Sequence, residues 1–267
     1  MMRALWTAGL GMSAQQMNVD VISNNLANVN TTGYKKVRPE FKDLLYQTMD
    51  RAYMLNNSGK PVNLQVGLGT TISATARDFA PGNYENTGNN LDMAIDGDGF
   101  FMIRGPKGDI NYTRTGNFKV SISEDGNKLV TSDGYPVLDD AGNDILLTVS
   151  PSALDINDNG ELSYMDKATG TSVSLGQTIG IVQFPNQQAL ESIGSNLYKA
   201  TSACGEPIYN TDSEEPAILK QKFLESSNVQ IVDEMVKLII AQRAYEINSK
   251  AVQSADEMLG MANNLRR

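Results

Sequence analysis

Residues 226–259 read SSNVQIVDEMVKLIIAQRAYEINSKAVQSADEML, and the whole of 226–265 contains no proline and a single late glycine. This stretch predicts one long α-helix, because almost nothing in it breaks a helix. At ~1.5 Å per residue, the helix would be roughly 60 Å long. Ser227 or Asn228 is predicted to cap its N-terminus.

Two apolar stripes run along this predicted helix, on nearly opposite sides. A helix that packs on one core needs only one stripe, so the second must be covered by something else. The first stripe comprises Val232, Val236, Ile240, Ala244, Ile247, Ala251, Ala255, Met258, Ala262 and Leu265. The second comprises Ile231, Met235, Leu238, Tyr245, Val252 and Leu259.

Three arrangements would cover both stripes. In the first, the helix closes one domain as part of a two-helix hairpin, and the middle of the chain covers the second stripe. In the second, other molecules cover it. In the third, the helix lies on a membrane surface, which its balanced polar face of Arg243, Glu246, Lys250 and Glu257 disfavours because such helices are lysine-rich.

Residues 3–30 predict a second helix at the other end of the chain. Apolar or small residues recur there with gaps of three and four, the spacing of a coiled-coil seam. The helix is predicted to end near 30–33, where asparagine and glycine accept left-handed conformations. The seam positions are Leu5, Gly9, Met12, Gln16, Val19, Ile22, Leu26 and Val29.

The centre of the chain predicts antiparallel β structure. Short β-branched or aromatic segments, such as FFMI (100–103) and IGIVQF (179–184), alternate with turn clusters rich in Gly, Asp and Asn. We therefore predict an α+β fold, with a long helix at each end of the chain and a central all-β antiparallel domain. The predicted divisions are 1–45 (N-terminal helix and start of the linker), 46–66 (extended linker), 67–225 (central β domain) and 226–267 (C-terminal helix).

Composition excludes much of conventional enzymology. The 267 residues include no histidine and one cysteine, which removes histidine-based catalysis, histidine metal sites and an intramolecular disulfide. The net charge of −9 argues against non-specific binding to nucleic acid or anionic membranes. No apolar run approaches the ~20 residues that span a bilayer, and the first residues lack the apolar core of a cleavable signal peptide. No cofactor is predicted.

Three short segments contain residue types that occur in metal or catalytic sites, but each favours a structural role. Residues 155–166, DINDNGELSYMD, match the spacing of an EF-hand calcium loop, but their flanks predict strands, so a hairpin turn at Asn159-Gly160 is favoured. Residues 96–101, DGDGFF, predict a glycine-rich turn entering a strand rather than paired catalytic carboxylates. Cys204 is predicted to be buried filler, because no neighbouring base would activate its thiol.

Four stretches together resemble the bacterial flagellar rod and hook family. They are ISNNLANVNTTGYKK (22–36), LDMAIDGDGFFMI (91–103), YTRTGNFKVSISEDGNKLVTSDGYPV (112–137) and 226–259. They span both ends and much of the centre, so the resemblance extends over essentially the whole chain. The length, the segment before GLGTTISATARDF (67–79) and the RAYEINSKAVQ ending (243–253) favour the distal rod. A proximal rod or hook-family axial protein is the alternative, and a secreted β-rich binding module is an alternative of another class.

The resemblance implies a non-enzymatic structural subunit that self-assembles helically into a stiff, hollow drive shaft carrying motor torque to the hook. The implied partners are copies of the chain itself, proximal rod proteins, the hook protein and, where the organism has them, bushing ring proteins. Neither nucleic acid nor membrane insertion is implied. The implied location is the basal body rod, outside the cytoplasmic membrane, reached by flagellar export without a cleavable signal. Residues 46–66 are expected to brace neighbouring subunits.

The resemblance also implies that the N- and C-terminal helices are paired as a coiled coil, with 1–45 as the first half of this inner coiled-coil domain and 226–267 as the second. It implies roles for particular residues as well. The inner coiled coil and self-assembly are assigned to Leu5, Met12, Val19, Ile22, Leu26, Val29, Val232, Val236, Ile240, Ile247, Met258 and Leu265. Contact with neighbouring subunits is assigned to Ile231, Met235, Leu238, Tyr245, Val252 and Leu259. The family motif covers Asn24, Asn25, Asn28, Asn30, Gly33, Tyr34, Arg243, Tyr245, Glu246 and Asn248. The asparagines near 24–30 would either hold the helix end through amide hydrogen bonds or simply terminate the helix.

Overall fold

A computed structural model of the chain describes residues 2–50, 63–123, 126–165, 172–213 and 215–264. These residues form two compact units. The helical unit comprises the described residues of 1–27, 37–77 and 230–267, and the β unit comprises those of 28–36 and 78–229. The predicted α+β class is confirmed: a β-rich body is accompanied by one long helix near each end of the chain.

The helical unit contains two helices and two strand pairs. Helices α1 (Met2–Ala27) and α2 (Ile231–Asn264) contact each other. Strand β1 (Val37–Asp43) pairs antiparallel with β4 (Thr70–Arg77), and both strands contact α1. Between them, β2 (Tyr46–Asp50) pairs antiparallel with β3 (Leu64–Gly67).

The two units have different boundaries from the predicted divisions of the chain. The described residues of 37–77 belong to the helical unit, whereas the prediction divided this segment among three regions. The described ends of the predicted linker 46–66 are paired strands, and 51–62 lie outside the described residues. Because β1 and β4 pair across a long intervening segment, no local turn signal announces the pairing.

The N-terminal helix ends earlier than predicted. Helix α1 stops at Ala27, so Val29 lies in the following turn and cannot belong to a helical stripe. The Thr31 N–H donates to the carbonyl oxygen of Asn28 at 3.1 Å, which tightens the chain into a turn. Gly33 then takes a φ of 67°, the left-handed conformation that glycine accepts without steric cost.

The predicted cap of the C-terminal helix is also wrong. Helix α2 begins at Ile231, and the Glu234 N–H donates to the carbonyl oxygen of Gln230 at 3.0 Å. The side chain of Asn228 instead joins separate segments of the β unit. Its Oδ1 accepts from the Lys36 N–H at 2.7 Å and its Nδ2 donates to the Asp78 carbonyl oxygen at 2.9 Å.

The β unit is built from short strands whose pairings are all antiparallel. In chain order they are β5 (Tyr84–Asn86), β6 (Met93–Asp96), β7 (Phe100–Arg104), β8 (Ile110–Thr113), β9 (Phe118–Ser123), β10 (Gly126–Thr131), β11 (Leu146–Leu147), β12 (Leu154–Ile156), β13 (Glu161–Met165), β14 (Ser172–Thr178), β15 (Ile181–Gln183), β16 (Glu191–Gly194), β17 (Leu197–Lys199), β18 (Ile208–Tyr209), β19 (Ile218–Gln221) and β20 (Phe223–Glu225).

Strand β7 organises the core of the β unit. It lies inside a six-stranded sheet ordered β16-β17-β8-β7-β15-β18. Because side chains alternate across a sheet, Phe101 and Ile103 enter one apolar cluster while Phe100 and Met102 enter a second. Both faces of the strand are therefore buried, which explains why its sequence is apolar without alternation. The second cluster also contains Cys204, confirming its prediction as buried filler.

Residues 157–160 form the turn that the sequence favoured over a calcium loop. The Gly160 N–H donates to the carbonyl oxygen of Asn157 at 2.8 Å, and Gly160 has a φ of 86°. The turn joins β12 to β13, which pair antiparallel as a hairpin. Asp166, the twelfth position of the calcium pattern, lies outside the described residues.

Candidate assembly surfaces

The outward side of α2 is a stripe of exposed apolar side chains, which we call the outer stripe. Val232 is 72% exposed, Ile240 62% and Ile247 66%. Large branched side chains this open are unusual on the surface of a soluble protein and mark a site of association when they cluster. The outer stripe consists of Val232, Val236, Ile239, Ile240, Ile247, Met258 and Met261, all exposed.

The side of α2 that faces α1 is different in composition. We call it the seam, and it repeats every seven residues through Glu234, Ala241, Asn248 and Ala255. Ala241 and Ala255 are each 1% exposed. Four residues after each of these positions stand Leu238, Tyr245, Val252 and Leu259, of which Tyr245 is exposed and the other three are half-buried.

The two predicted stripes differ in exposure in the single chain, and their roles in assembly stay predictions. The first stripe was predicted to meet α1, yet its large members on α2 are exposed, and three members of the second stripe lie on the α1 side instead. Small and polar residues let the two helix backbones approach closely, which leaves the bulky branched residues outside. Leu265, the last residue of the first stripe, lies outside the described residues.

Helix α1 presents small and buried residues in the same way. Ala8, Ala14 and Ile22 are buried on it, and a Cβ added at Gly11 would lie 2.9 Å from Nδ2 of Asn248. The predicted seam residues Leu5, Met12, Val19 and Leu26 are half-buried. In contrast, Trp6 is 71% exposed and belongs to the apolar surface that the helical unit leaves open.

Asn25 connects three elements of the helical unit. Its Nδ2 donates to Oε2 of Glu234 on α2 at 3.2 Å and to the carbonyl oxygen of Val37 at 2.8 Å. Its Oδ1 accepts from the Val37 N–H at 3.0 Å. Asn25 is 1% exposed and Glu234 2% exposed, and Lys237 Nζ donates to the other oxygen of Glu234 at 2.7 Å. One amide thus ties the end of α1 to both α2 and the start of β1.

The other motif residues are spread over both units. Asn28, Gly33 and Tyr34 lie in the β unit, where Asn28 Oδ1 accepts from the Thr31 hydroxyl at 3.2 Å and Tyr34 is buried. Arg243 donates to Glu246 on the exposed surface of α2 at 2.9 Å. The remaining placements are Asn24, Asn30, Ile231 and Met235 exposed, with Asn248 half-buried.

A second exposed apolar surface lies on the strands of the helical unit. Leu45 is 85% exposed, and Tyr46, Met49 and Leu64 are each more than half exposed. They lie on or beside β2 and β3, a two-stranded pair that is not part of a larger sheet among the described residues. An isolated two-stranded pair is only marginally stable in water, so burying its apolar side chains against another surface would stabilise it.

A buried cluster of three charges lies in the β unit, and sequence reasoning missed it. Lys35 Nζ donates to Oε1 of Glu225 at 2.6 Å, and Arg114 Nε donates to Oε2 of the same carboxylate at 3.1 Å. All three side chains are 1–2% exposed. Lys35 Nζ also donates to the carbonyl oxygens of Phe79 and Ala80, at 3.1 and 2.8 Å.

The cluster satisfies nearly every polar group that it buries. Arg114 donates to the carbonyl oxygens of Gly97 and Gly99 at 2.9 and 2.6 Å, while the Gly82 N–H donates to Glu225 at 2.9 Å. Burial, followed by the nearby Arg114 guanidinium, lowers the pKa of Lys35 to about 8, although Glu225 opposes the shift. No local sequence signal marks this site, since Lys35 is followed directly by Lys36 and Arg114 lies between two threonines.

The described residues offer neither a cluster of metal ligands nor a membrane-spanning helix. No group of three or more acidic or cysteine side chains is arranged there to hold a metal ion. Among the same residues, neither helix combines the length and the apolar content that crossing a membrane requires.

Comparison with known proteins relates the sequence of this chain to a protein family. Three family models match: "Flagella basal body rod protein" over 5–35, "Flagellar hook protein FlgE/F/G D1 domain" over 94–164 and "Flagellar basal body rod FlgEFG protein C-terminal" over 220–265. Proteins named "Flagellar basal-body rod protein FlgG" align over nearly their whole length. That of Borreliella burgdorferi is 49% identical, with 100% of both chains covered. That of Agrobacterium fabrum is 41% identical, with 98% of both covered, and that of Caulobacter vibrioides is 41% identical, with 99% of this chain and 100% of the relative covered. The chain belongs to the flagellar basal-body rod protein family.

Proposed function

We propose that the chain is a structural subunit of the flagellar distal rod. Copies pack through their terminal helices into a hollow helical tube, which acts as a stiff drive shaft and passes motor torque to the hook. The rod role is supported by the relatives of the same length that carry the name of a basal-body rod protein. Assembly is supported by the outer stripe of α2.

The outer stripe carries the proposal because an isolated chain leaves it in water. Fully burying one valine, isoleucine or methionine side chain gains about 1.5–3 kcal/mol, so a stripe of such residues strongly favours association. The stripe runs along one helix from Val232 to Ile247 and again at Met258 and Met261, and helices offer such stripes to other helices. Copies of this chain are the partner we infer, because every copy carries the same stripe.

The proposed arrangement explains stiffness. A head-to-tail contact that does not close into a ring builds a helical polymer. In that polymer, α1 and α2 pair as a coiled coil through the seam, and the outer stripe packs on neighbouring copies. Sliding one subunit past another would expose apolar side chains to water, so the tube resists shear and transmits torque.

We assign a bracing role to the predicted linker 46–66. Its described ends carry Tyr46, Met49 and Leu64, which are exposed and apolar and would reach across to a neighbouring copy. Deleting 46–66 should leave a chain that still joins the rod but produces a bendable or misassembled structure. A rod of unaltered stiffness after this deletion would contradict the assignment.

The remaining parts of the proposal follow from the family. The subunit acts without catalysis, in the basal body outside the cytoplasmic membrane, after flagellar export. Its neighbours are proximal rod proteins below, the hook protein above and bushing rings where the organism has them.

The experiment is a comparison of Ile240→Asp with Gln253→Asp in cells that lack their own copy of the gene. Both positions are exposed on α2 and receive the same charge, but only Ile240 belongs to the outer stripe. We expect Ile240→Asp to abolish rod formation and motility, whereas Gln253→Asp retains both. Normal rods with Ile240→Asp would contradict the role of the stripe.

A further inference from the structure

A short segment of the β unit is set apart from the rest of that unit by its connections. Residues 28–36, which we call the plug, follow α1 directly and precede β1 directly, yet they belong to the β unit. Among the described residues, the plug joins no strand, and none of its side chains belongs to either apolar cluster of the β unit. The core of the β unit is therefore built without the plug.

Hydrogen bonds to main-chain groups hold the plug in one backbone conformation. The Thr32 carbonyl oxygen accepts from the Thr115 hydroxyl at 3.2 Å and from Nδ2 of Asn196 at 3.1 Å. The Gly33 N–H donates to the Glu225 carbonyl oxygen at 2.8 Å. Gly33 has a positive φ, and a Cβ there would lie 2.9 Å from the backbone nitrogen of Thr115. The fit therefore requires glycine at this position of the plug.

The two lysines of the plug have different surroundings, although they are adjacent in the sequence. Lys35 is buried, and its Nζ donates to the Glu225 carboxylate and to two main-chain carbonyl oxygens. The Lys36 side chain is 26% exposed, and its Nζ lies 3.9 Å from Oδ2 of Asp78. The β unit therefore recognises the side chain at position 35, whereas the side chain at position 36 adds only a weak, partly exposed ion pair.

The groups that receive the plug have other partners that would hold them without it. Arg114 also donates to the Glu225 carboxylate, and its guanidinium donates to the carbonyl oxygens of Gly97 and Gly99. Withdrawing Lys35 would leave one buried cation and one buried carboxylate, which compensate each other. A receptor that keeps its shape binds at a smaller entropic cost. We call these groups the socket, and they belong to Phe79, Ala80, Thr115, Asn196, Glu225 and Asn228.

We propose that the socket is a peptide-binding site of the β unit and that its ligand is the chain's own plug. Recognition depends on a left-handed glycine followed two residues later by a lysine, and it requires neither terminal helix. A separate peptide with the plug sequence should therefore bind to the socket as well. One consequence rests on the proposed function: binding of the plug fixes, on the β unit of every copy in the rod, the point from which the chain leads back to α1.

The test uses fluorescently labelled peptides of residues 28–38, NVNTTGYKKVR, and measures their binding by fluorescence anisotropy. The receptor is the unassembled full-length chain with Gly33→Ala and Lys35→Met, two substitutions that weaken its own plug. Four peptides are compared: the parent sequence, Gly33→Ala, Lys35→Met and Lys36→Met. The two lysine substitutions remove the same charge from adjacent positions, so Lys36→Met is the matched control for non-specific attraction to the acidic chain.

We expect the parent peptide to bind saturably, with one peptide per chain. Gly33→Ala and Lys35→Met in the peptide should each weaken binding about ten-fold or more, whereas Lys36→Met should weaken it by less than about three-fold. Absence of saturable binding would overturn the proposal, as would equal losses for the two lysine substitutions.

A second measurement follows the β-sheet circular dichroism of the receptor chain. We expect the signal to be retained, because the core of the β unit is built without the plug. Loss of the signal would overturn the proposal, since the plug would then be needed for the core. Neither measurement requires assembly, so failure here is distinguishable from failure of the rod role.

Discussion

Lys35 and Glu225 lie 190 residues apart in the chain, yet their Nζ and Oε1 atoms are 2.6 Å apart. Both side chains are 1% exposed, and Arg114 contacts the other oxygen of the same carboxylate. The pair joins the segment that follows α1 to the strand that precedes α2, entirely within the β unit. A buried ion pair of this kind contributes little net stability, but removing one member leaves the others without compensation.

The three charges should therefore respond unequally to substitution. Glu225→Ala leaves two buried cations without a carboxylate, and we expect it to lower the free energy of unfolding by about 3–5 kcal/mol. Lys35→Met keeps the Glu225–Arg114 pair and a similar volume, and we expect a loss of about 1–2 kcal/mol. Urea unfolding of both full-length variants measures the difference. Equal losses would show that Glu225 is not the centre of the cluster.

Lys35 also predicts how stability changes with pH. Because the folded-state pKa is about 8 and the ordinary value is 10.5, the unfolded chain holds this proton more tightly than the folded chain does. The cost of burying the ammonium is complete below pH 8 and is relieved progressively between about pH 8 and 10.5. Between pH 8 and 9.5, the free energy of unfolding of the parent should therefore rise by on the order of 1–2 kcal/mol relative to that of Lys35→Met.

The pH measurement should stop below pH 10. Burial, together with the Asp96 carboxylate, raises the pKa of Tyr84 to about 12. The folded state therefore keeps the Tyr84 proton after the unfolded state has lost it, and this contribution falls as pH rises above 10. Parallel curves for the parent and Lys35→Met between pH 8 and 9.5 would contradict the assigned shift.

Gly33 allows a direct test of close packing, with Gly88 as its control. Both residues have a positive φ, 67° and 70°, so alanine pays a similar backbone cost of about 1–2 kcal/mol at either position. A Cβ at Gly33 would lie 2.9 Å from the backbone of Arg114 and Thr115, whereas nothing lies within 4 Å at Gly88. Gly33→Ala should therefore lower the thermal midpoint clearly more than Gly88→Ala. Equal shifts would mean that the loop moves aside freely.

The sequence predicted the helices and the β unit because their signals are local. Absence of breakers marked α2, and the apolar run at 100–103 marked the doubly buried strand β7. The ends of the helices were harder to predict, because hydrogen bonds to residues distant in the sequence determine where each helix stops. Asn228 was expected to cap α2, but its amide has three hydrogen-bond partners in the β unit, and α2 begins at Ile231.

Which side of α2 faces α1 was not predictable from apolar residues alone. The seam is built from Glu234, Ala241, Asn248 and Ala255, only two of which count as apolar, while the large branched residues lie on the exposed side. The pattern that indicates this side of α2 is a heptad repeat of small residues with an occasional polar member. The pairing of Glu225 with Lys35 could not have been found, since no local pattern links residues so distant in the chain.

The central claim is that copies of the chain cover the outer stripe. The most direct measurement places a thiol there, using Ile240→Cys in the Cys204→Ala chain, and follows its reaction with a charged maleimide. We predict rapid labelling of the unassembled chain and protection of at least about ten-fold once the protein has formed rods. Equal labelling rates before and after assembly would contradict the account, because the stripe would then remain in water inside the finished rod.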